Sequence, residues 1–227
     1  AHELRTPLAV MQTNLEVFAR KKTPTIEEYQ DIFGMIQNQT ERLSHLSEVL
    51  LDMTGIQSVE RSDSISLAEL TDEVCCDLAS IADQKKVELI QEEGDCTVTG
   101  SYLLLYRAVY NLVENAIKYN YSGGKVTIKI SQKKDLPAAH SKPADYALVE
   151  VTDTGIGISP EFQEKIFDPF FRVDKSRSRA MGGAGLGLAL VAEIARQHGG
   201  QVKVLASSKK GSTIALMLPI NSPLIAI

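Results

Sequence analysis

The spacing of apolar residues changes its rule once along the chain, and that change constrains the fold more than any other feature. The first apolar residues fall at Leu4, Leu8, Met11, Leu15 and Phe18, in alternating steps of four and three. On a wheel turning ~100° per residue, all five lie within about 40° of one line, so they form one stripe of a helix. Lys21-Lys22-Thr23-Pro24 interrupts the stripe. Thr25, with Glu28 three residues on, then makes a capping box for a second helix. That helix repeats the pattern at Ile32, Ile36, Leu43, Leu46, Leu50 and Met53. Two amphipathic helices joined by a short loop form an antiparallel hairpin, here over residues 1–57. A pair of helices buries too little surface alone. The wide stripes therefore predict a homodimer, with two hairpins closing a four-helix bundle.

Residues 58–64 (SVERSDS) are polar, break the period and read as a linker. The texture then changes. Helical spacing covers Leu67 to Lys85, Tyr102 to Tyr119 and Leu186 to His198, the last stopped by Gly199-Gly200. Strand-like segments fall at Val87 to Gln91, Cys96 to Val98, Lys125 to Ser131, Tyr146 to Thr152, Gln201 to Ala206 and Ser212 to Leu218. Lys133 to Asp145, rich in Pro, Ala, Ser and charge, reads as an exposed hairpin loop. Helices and strands in separate clusters predict an α+β fold, with an α/β sandwich over residues 65–220 whose helices cover one face of a mixed sheet.

Composition narrows the function classes. A formal charge of −5 argues against general nucleic-acid binding, which wants a basic face. Cys75, Cys76 and Cys96 lack metal-ligand spacing and read as reduced packing residues. No apolar run reaches the ~18 residues of a membrane span, so the residues present make no membrane contact. The chain does not begin with Met, and helical spacing is under way at its first residues. The expectation is a piece of a longer protein.

Several segments carry residues suited to chemistry. His2 lies opposite the apolar stripe of the first helix, with Thr6 beside it one turn on and Glu3 on the flank. Pro7 removes the helical partner of the Glu3 carbonyl and predicts a bend there. Taken alone, His2 could equally be an exposed histidine near a fraying end. Further along, Asn111, Asn115 and Lys118 share one face of a helix whose core stripe is Leu105, Val109, Leu112 and Ala116. Amide oxygens suit Mg²⁺ and an ammonium suits phosphate, although an ordinary polar helix face looks the same. Val149, Val151 and Asp153 point to one side of their strand, which carries the carboxylate toward a half-buried pocket where it needs a donor such as an exocyclic amine. Gly155 and Gly157 follow, in DTGIGI. An Asx turn is the plain alternative. FDPFFRVDKSRSR places Phe167, Phe170 and Phe171 beside Arg172, Lys175, Arg177 and Arg179. Gly182-Gly183-Ala184-Gly185-Leu186-Gly187 leads into a helix whose free N–H groups suit phosphate.

His2-Glu3-Leu4-Arg5-Thr6-Pro7 resembles the H-box of bacterial sensor histidine kinases. The hairpin resembles their dimerisation and phosphoacceptor domain. The segment from Asn111 to Tyr119 resembles their N-box, DTGIGI the G1 box, the phenylalanine-rich segment the F-box and ATP lid, and the glycine run the G2 box. Ala184 stands where the family often has Thr or Ser, which removes one hydroxyl but leaves the backbone cradle. Four boxes in family order make the resemblance specific over almost the whole chain. It implies a protein-histidine kinase that uses ATP and Mg²⁺ to phosphorylate His2. Glu3 would take a proton, and Thr6 would orient water in a reverse phosphatase reaction. The implied nucleotide set is Asn111, Asn115, Lys118, Tyr119, Asp153, Gly155, Gly157, Arg172, Gly183, Gly185, Leu186 and Gly187, with Asn115 and Asn111 on the metal. The phosphoryl group would pass to an aspartate of a response-regulator receiver domain. The parent would be a membrane receptor whose cytoplasmic portion this is. Two alternatives remain on these residues: a gyrase- or chaperone-type ATPase of the same nucleotide fold, and a dimeric scaffold that binds nucleotide without transfer.

Overall fold

The computed structural model describes residues 2–55, 59–136, 144–173 and 185–220. Helices α1 (His2–Ala19) and α2 (Ile26–Gly55) form the hairpin. α1 runs through Pro7. The turn is built by the expected capping box: the Glu28 N–H donates to Thr25 Oγ1 at 3.2 Å, and the Thr25 N–H donates to Glu28 Oε2 at 3.1 Å. Phe18 and Tyr29 meet edge to face across it, ring centroids 5.0 Å apart. Much of the apolar surface of the pair nevertheless remains open, with Leu8 52%, Leu15 45% and Phe33 68% exposed. The stripe positions Leu4, Leu46, Leu50 and Met53 lie on the two helices, with their side chains outside the described set.

The remaining elements are β1 (Asp63–Ser66), α3 (Leu67–Lys85), β2 (Glu88–Gln91), β3 (Thr97–Gly100), α4 (Tyr102–Lys118), β4 (Lys125–Leu136), β5 (Ala144–Asp153), α5 (Gly187–Gln197), β6 (Gln201–Ser208) and β7 (Gly211–Pro219). Two short 3-10 turns, Pro160–Phe162 and Lys165–Phe167, lie between β5 and α5. A five-stranded sheet runs in the order β2-β4-β5-β7-β6. Only β2 and β4 pair in parallel, so the sheet is mixed as the sequence predicts. The core forms where one set of alternating strand residues (Val126, Ile128; Val149, Val151; Leu216, Leu218) meets the stripes of α3, α4 and α5. Leu70, Leu78, Leu105, Val109 and Ile194 are fully buried there. On the other face, Tyr146, Leu148, Ala215 and Met217 form a smaller buried cluster.

Two local readings change. The stretch read wholly as linker ends in strand: Asp63 to Ser66 pair antiparallel with Gly100 to Thr97. Only Ile65 of that strand is buried, which is too little alternation to show in sequence. The stretch read as an exposed loop is shorter, because β4 extends to Leu136 and β5 starts at Ala144. Its pairing is made by backbone groups, Lys133 opposite Tyr146 and Leu136 opposite Ala144 with an irregularity between, while the Gln-Lys-Lys-Asp side chains show no apolar alternation. Between hairpin and sandwich, Arg61 donates to the Gln197 side chain on α5 at 3.2 Å.

Candidate active site

The cavity that bears on function has a volume of about 860 Å³ and lies between α4, the turn after β5 and the start of α5. It gathers most residues singled out in sequence: Asn111, Asn115, Lys118, Tyr119, Asp153, Gly157, Arg172, Gly185, Leu186 and Gly187 all line it. Gly155 does not line it but donates its N–H to Asp153 Oδ1 at 2.7 Å. Gly183 lies outside the described residues, as do Lys175, Arg177 and Arg179. His2, Glu3 and Thr6 are in the first turns of α1, and their side chains lie outside the described set.

α4 presents its polar face because its other faces are filled by Leu105, Val109, Leu112, Val113 and Ile117, all buried in the core. Asn111 Nδ2 donates to the Arg107 carbonyl at 2.8 Å. That bond leaves Oδ1 directed at the next element: a Cβ placed on Gly187 would lie 2.6 Å from it, and 3.6 Å from Asn115 Nδ2. Only glycine lets the first turn of α5 come this close to the amide pair. The two amides and the free N–H groups of a helix start thus face one space, a combination that suits a chelated polyphosphate.

Burial pushes the Lys118 ammonium down, and Arg172 nearby pushes it the same way, while Glu114 opposes both. Two cations therefore approach one another at this wall, an arrangement relieved by an anion between them. The residues on either side of this wall are tied together. The Phe170 N–H donates to the Gly185 carbonyl at 2.8 Å, and Phe162 packs on Phe171 with ring centroids 5.6 Å apart.

At the far end, burial raises the Asp153 carboxyl above the usual carboxylate range; the Gly155 N–H, at 2.7 Å from Oδ1, and the hydroxyl and N–H of Ser212 work against that rise. Ser212 sits opposite Asp153 in the β5–β7 register and is 6% exposed. The aspartate is thus half-buried, held from two sides and next to apolar walls from Ile156, Ile158 and Ile214. It is a restrained acceptor at one end of the cavity.

Sequence reasoning missed Ser212, Asn120, Thr154 and Lys85. Ser212 was legible only as the first residue of a strand, and its cross-strand partner is set by sheet topology. Lys85, at the end of α3, reaches the carbonyl of Lys118 and so ties two helix ends together at the cavity wall.

A helical hairpin joined to a glycine-walled α/β sandwich, with an amide-and-cation face opposite a half-buried aspartate, defines an ATP-binding class of protein. The family model described as "Histidine kinase-, DNA gyrase B-, and HSP90-like ATPase" matches residues 100–222, more than half of the chain, and that of the "His Kinase A (phospho-acceptor) domain" matches residues 1–58. The chain belongs to the sensor histidine kinase family. It is 34% identical to the sensor histidine kinase RppB of a Synechocystis strain over 98% of this chain and 48% of that protein. Its fold is like that of the Acinetobacter baumannii histidine kinase AdeS, with a TM-score of 0.70 at 22% identity, covering 98% of this chain and 99% of the other. It is also like that of the histidine kinase ThkA solved in complex with the response regulator protein TrrA, with a TM-score of 0.68 at 22% identity over 97% of this chain and 60% of that one. The chain spans about half the length of RppB.

Proposed function

We propose that this chain is the kinase core of a sensor histidine kinase, and that it phosphorylates His2 from ATP. One observation carries the reading. The Asn111–Asn115–Lys118 face, the Gly187 helix start and the Asp153 carboxylate share one cavity, on a chain whose hairpin bears a histidine in an H-box. Adenine would sit against Asp153, its exocyclic amine donating to the carboxylate that Gly155 and Ser212 hold in place. The triphosphate would extend toward Lys118, Arg172 and the N-terminus of α5. Asn115, helped by Asn111, would hold Mg²⁺, which neutralises phosphate charge when bound.

The sandwich would then deliver the γ-phosphoryl to His2 by moving on the segment that joins it to the hairpin. A neutral imidazole, ordinary pKa ~6.5, is nucleophilic near neutrality. One ring nitrogen bonds to phosphorus as the bond to the β,γ-bridging oxygen breaks and ADP leaves. Glu3 accepts the proton from the other nitrogen. The phosphoryl group then passes to an aspartate of a response-regulator receiver domain, a partner class supported by the ThkA–TrrA complex. Thr6 would orient water in the reverse dephosphorylation. The exposed Leu8, Leu15 and Phe33 support a homodimer through the hairpin. The protein would work as the cytoplasmic portion of a receptor. Among the described residues no helix is long and apolar enough to cross a membrane, and the net charge of −5 speaks against a nucleic-acid partner.

Incubation with γ-labelled ATP and Mg²⁺ tests the proposal. Acid-labile, base-stable label on the protein is expected, and it should vanish in His2→Gln while nucleotide binding persists. Free phosphate without protein label would replace this reading with a gyrase-type ATPase. Neither product would leave a nucleotide-binding scaffold.

A further inference from the structure

Two halves of the cavity, the polar face of α4 and the Asp153 turn, are joined by a side chain with no part in the mechanism above. Asn120, just beyond α4, is 7% exposed and every polar atom of its amide group is engaged. Its Oδ1 accepts the Tyr121 N–H at 2.9 Å and the Thr154 hydroxyl at 3.1 Å. Its Nδ2 donates to the Lys125 carbonyl at 2.9 Å. The Thr154 Oγ1 in turn accepts the Lys125 N–H at 2.9 Å. Two backbone bonds run alongside, Thr154 N–H to the Lys125 carbonyl at 3.1 Å and Ile156 N–H to the Tyr119 carbonyl at 3.2 Å.

The end of α4, the start of β4 and the turn carrying Asp153 are therefore locked into one unit. The lock is tight against the aspartate itself: a Cβ on Gly155 would lie 2.3 Å from the Tyr119 carbonyl oxygen and 2.9 Å from Asp153 Oδ1. On its other side, Asp153 is held by Ser212 from β7. A carboxylate restrained in this way can meet only the group that the ring presents at one place.

We infer that Asn120 and Thr154 are positioning residues for base specificity, fixing the reach of the Asp153 carboxylate so that the site takes a purine bearing an amino group and refuses one bearing an oxo group at the same ring position. A carboxylate accepts and cannot donate, so an oxo group facing it leaves two acceptors opposed and desolvated. A guanine ring, however, carries N–H donors further along the same edge. A carboxylate free to shift by about one hydrogen-bond length could recover them. Rigidity of the turn, beyond the presence of Asp153, is what closes that escape. The inference rests on the adenine-nucleotide reading given above.

The test titrates the full chain, in Mg²⁺ buffer, with fluorescent analogues of ATP and GTP, for wild type, Thr154→Val, Thr154→Ser and Asn120→Ala, with melting temperatures measured in parallel. Thr154 is exposed, so its variants should fold even if the buried amide at 120 proves essential. Wild type is expected to prefer the adenine analogue. Thr154→Val should narrow that preference roughly tenfold, the scale of one hydrogen bond, and Thr154→Ser should restore it. Asn120→Ala, where it folds, should narrow it likewise. A Thr154→Val protein that melts as wild type and keeps its full preference overturns the inference alone. So does an equal loss in the valine and serine variants, because the hydroxyl would then not be the cause. Wild type that binds neither analogue overturns the nucleotide reading and the inference together.

Discussion

The hairpin and the sandwich are built from the same kinds of residue but reach different degrees of completion. In the sandwich, Leu67, Leu70, Leu105, Ile128, Val149 and Leu216 are fully removed from solvent by elements of the same chain. In the hairpin, Leu15, Val17 and Phe33 remain about half exposed or more after the two helices have met. A sheet with helices laid on one face encloses a core, whereas two helices have only one shared seam. The sandwich therefore carries its stability within itself. The hairpin has surface left to bury, which the proposed second chain would cover.

The largest effect expected from this contrast is inside the sandwich. Leu105 is fully buried on the core side of α4, near its first turn. Leu105→Ala should cost about 2–5 kcal/mol in urea unfolding, and the loss should not depend on protein concentration. A loss under about 1 kcal/mol would mean that the sandwich core is far looser than its burial indicates. A charge on the open apolar surface of the hairpin should act otherwise. Leu15→Asp should shift sedimentation from dimer to monomer in a concentration-dependent way, while the adenine-analogue affinity of the sandwich stays within about twofold of wild type. Wild type that sediments as a monomer at micromolar concentration would remove the four-helix bundle from the account.

The two regions also differed in how far they could be read from sequence. The hairpin was legible because helix packing writes a local period, and the Thr25–Glu28 capping box marks its turn within four residues. In the sandwich, helices and most strands were legible, but β1 and the outer half of β4 were not. β1 buries only Ile65 and pairs with a strand more than thirty residues on, while Gln132, Lys133 and Lys134 of β4 are exposed and held by backbone pairing alone, so neither stretch writes an apolar alternation. The cavity followed the same rule. Asn111, Asn115, Lys118 and Asp153 could be placed because a helix face and a strand side are local. Ser212 and Asn120 act through cross-strand register and through a loop closing on Lys125, relations that no local period records.

The smallest effect expected concerns a single imidazole that joins these levels. His198 closes α5, is 9% exposed and bridges two helices. Its Nδ1 lies 2.8 Å from the Ile194 carbonyl, which can only accept, so the proton is on Nδ1. Nε2 is therefore the acceptor for the Ser101 N–H at 3.1 Å, just before α4. Burial holds this imidazole below its ordinary 6.5, and the Arg61 charge pushes the same way against the bond to Ile194. The folded protein thus prefers neutral His198, while the unfolded chain binds its proton near 6.5. Stability from this group is complete above that value and is lost as pH falls below it toward the folded-state pKa. Urea midpoints should fall between pH 7 and pH 5.5 in wild type. In His198→Gln, whose amide can still accept from Ser101 but does not titrate, the protein should start less stable and the fall should be shallower. Parallel slopes in the two proteins would show that other groups carry the acid sensitivity. A shallower slope in the variant would show that the joint between the start of α4 and the end of α5 loosens on taking up one proton.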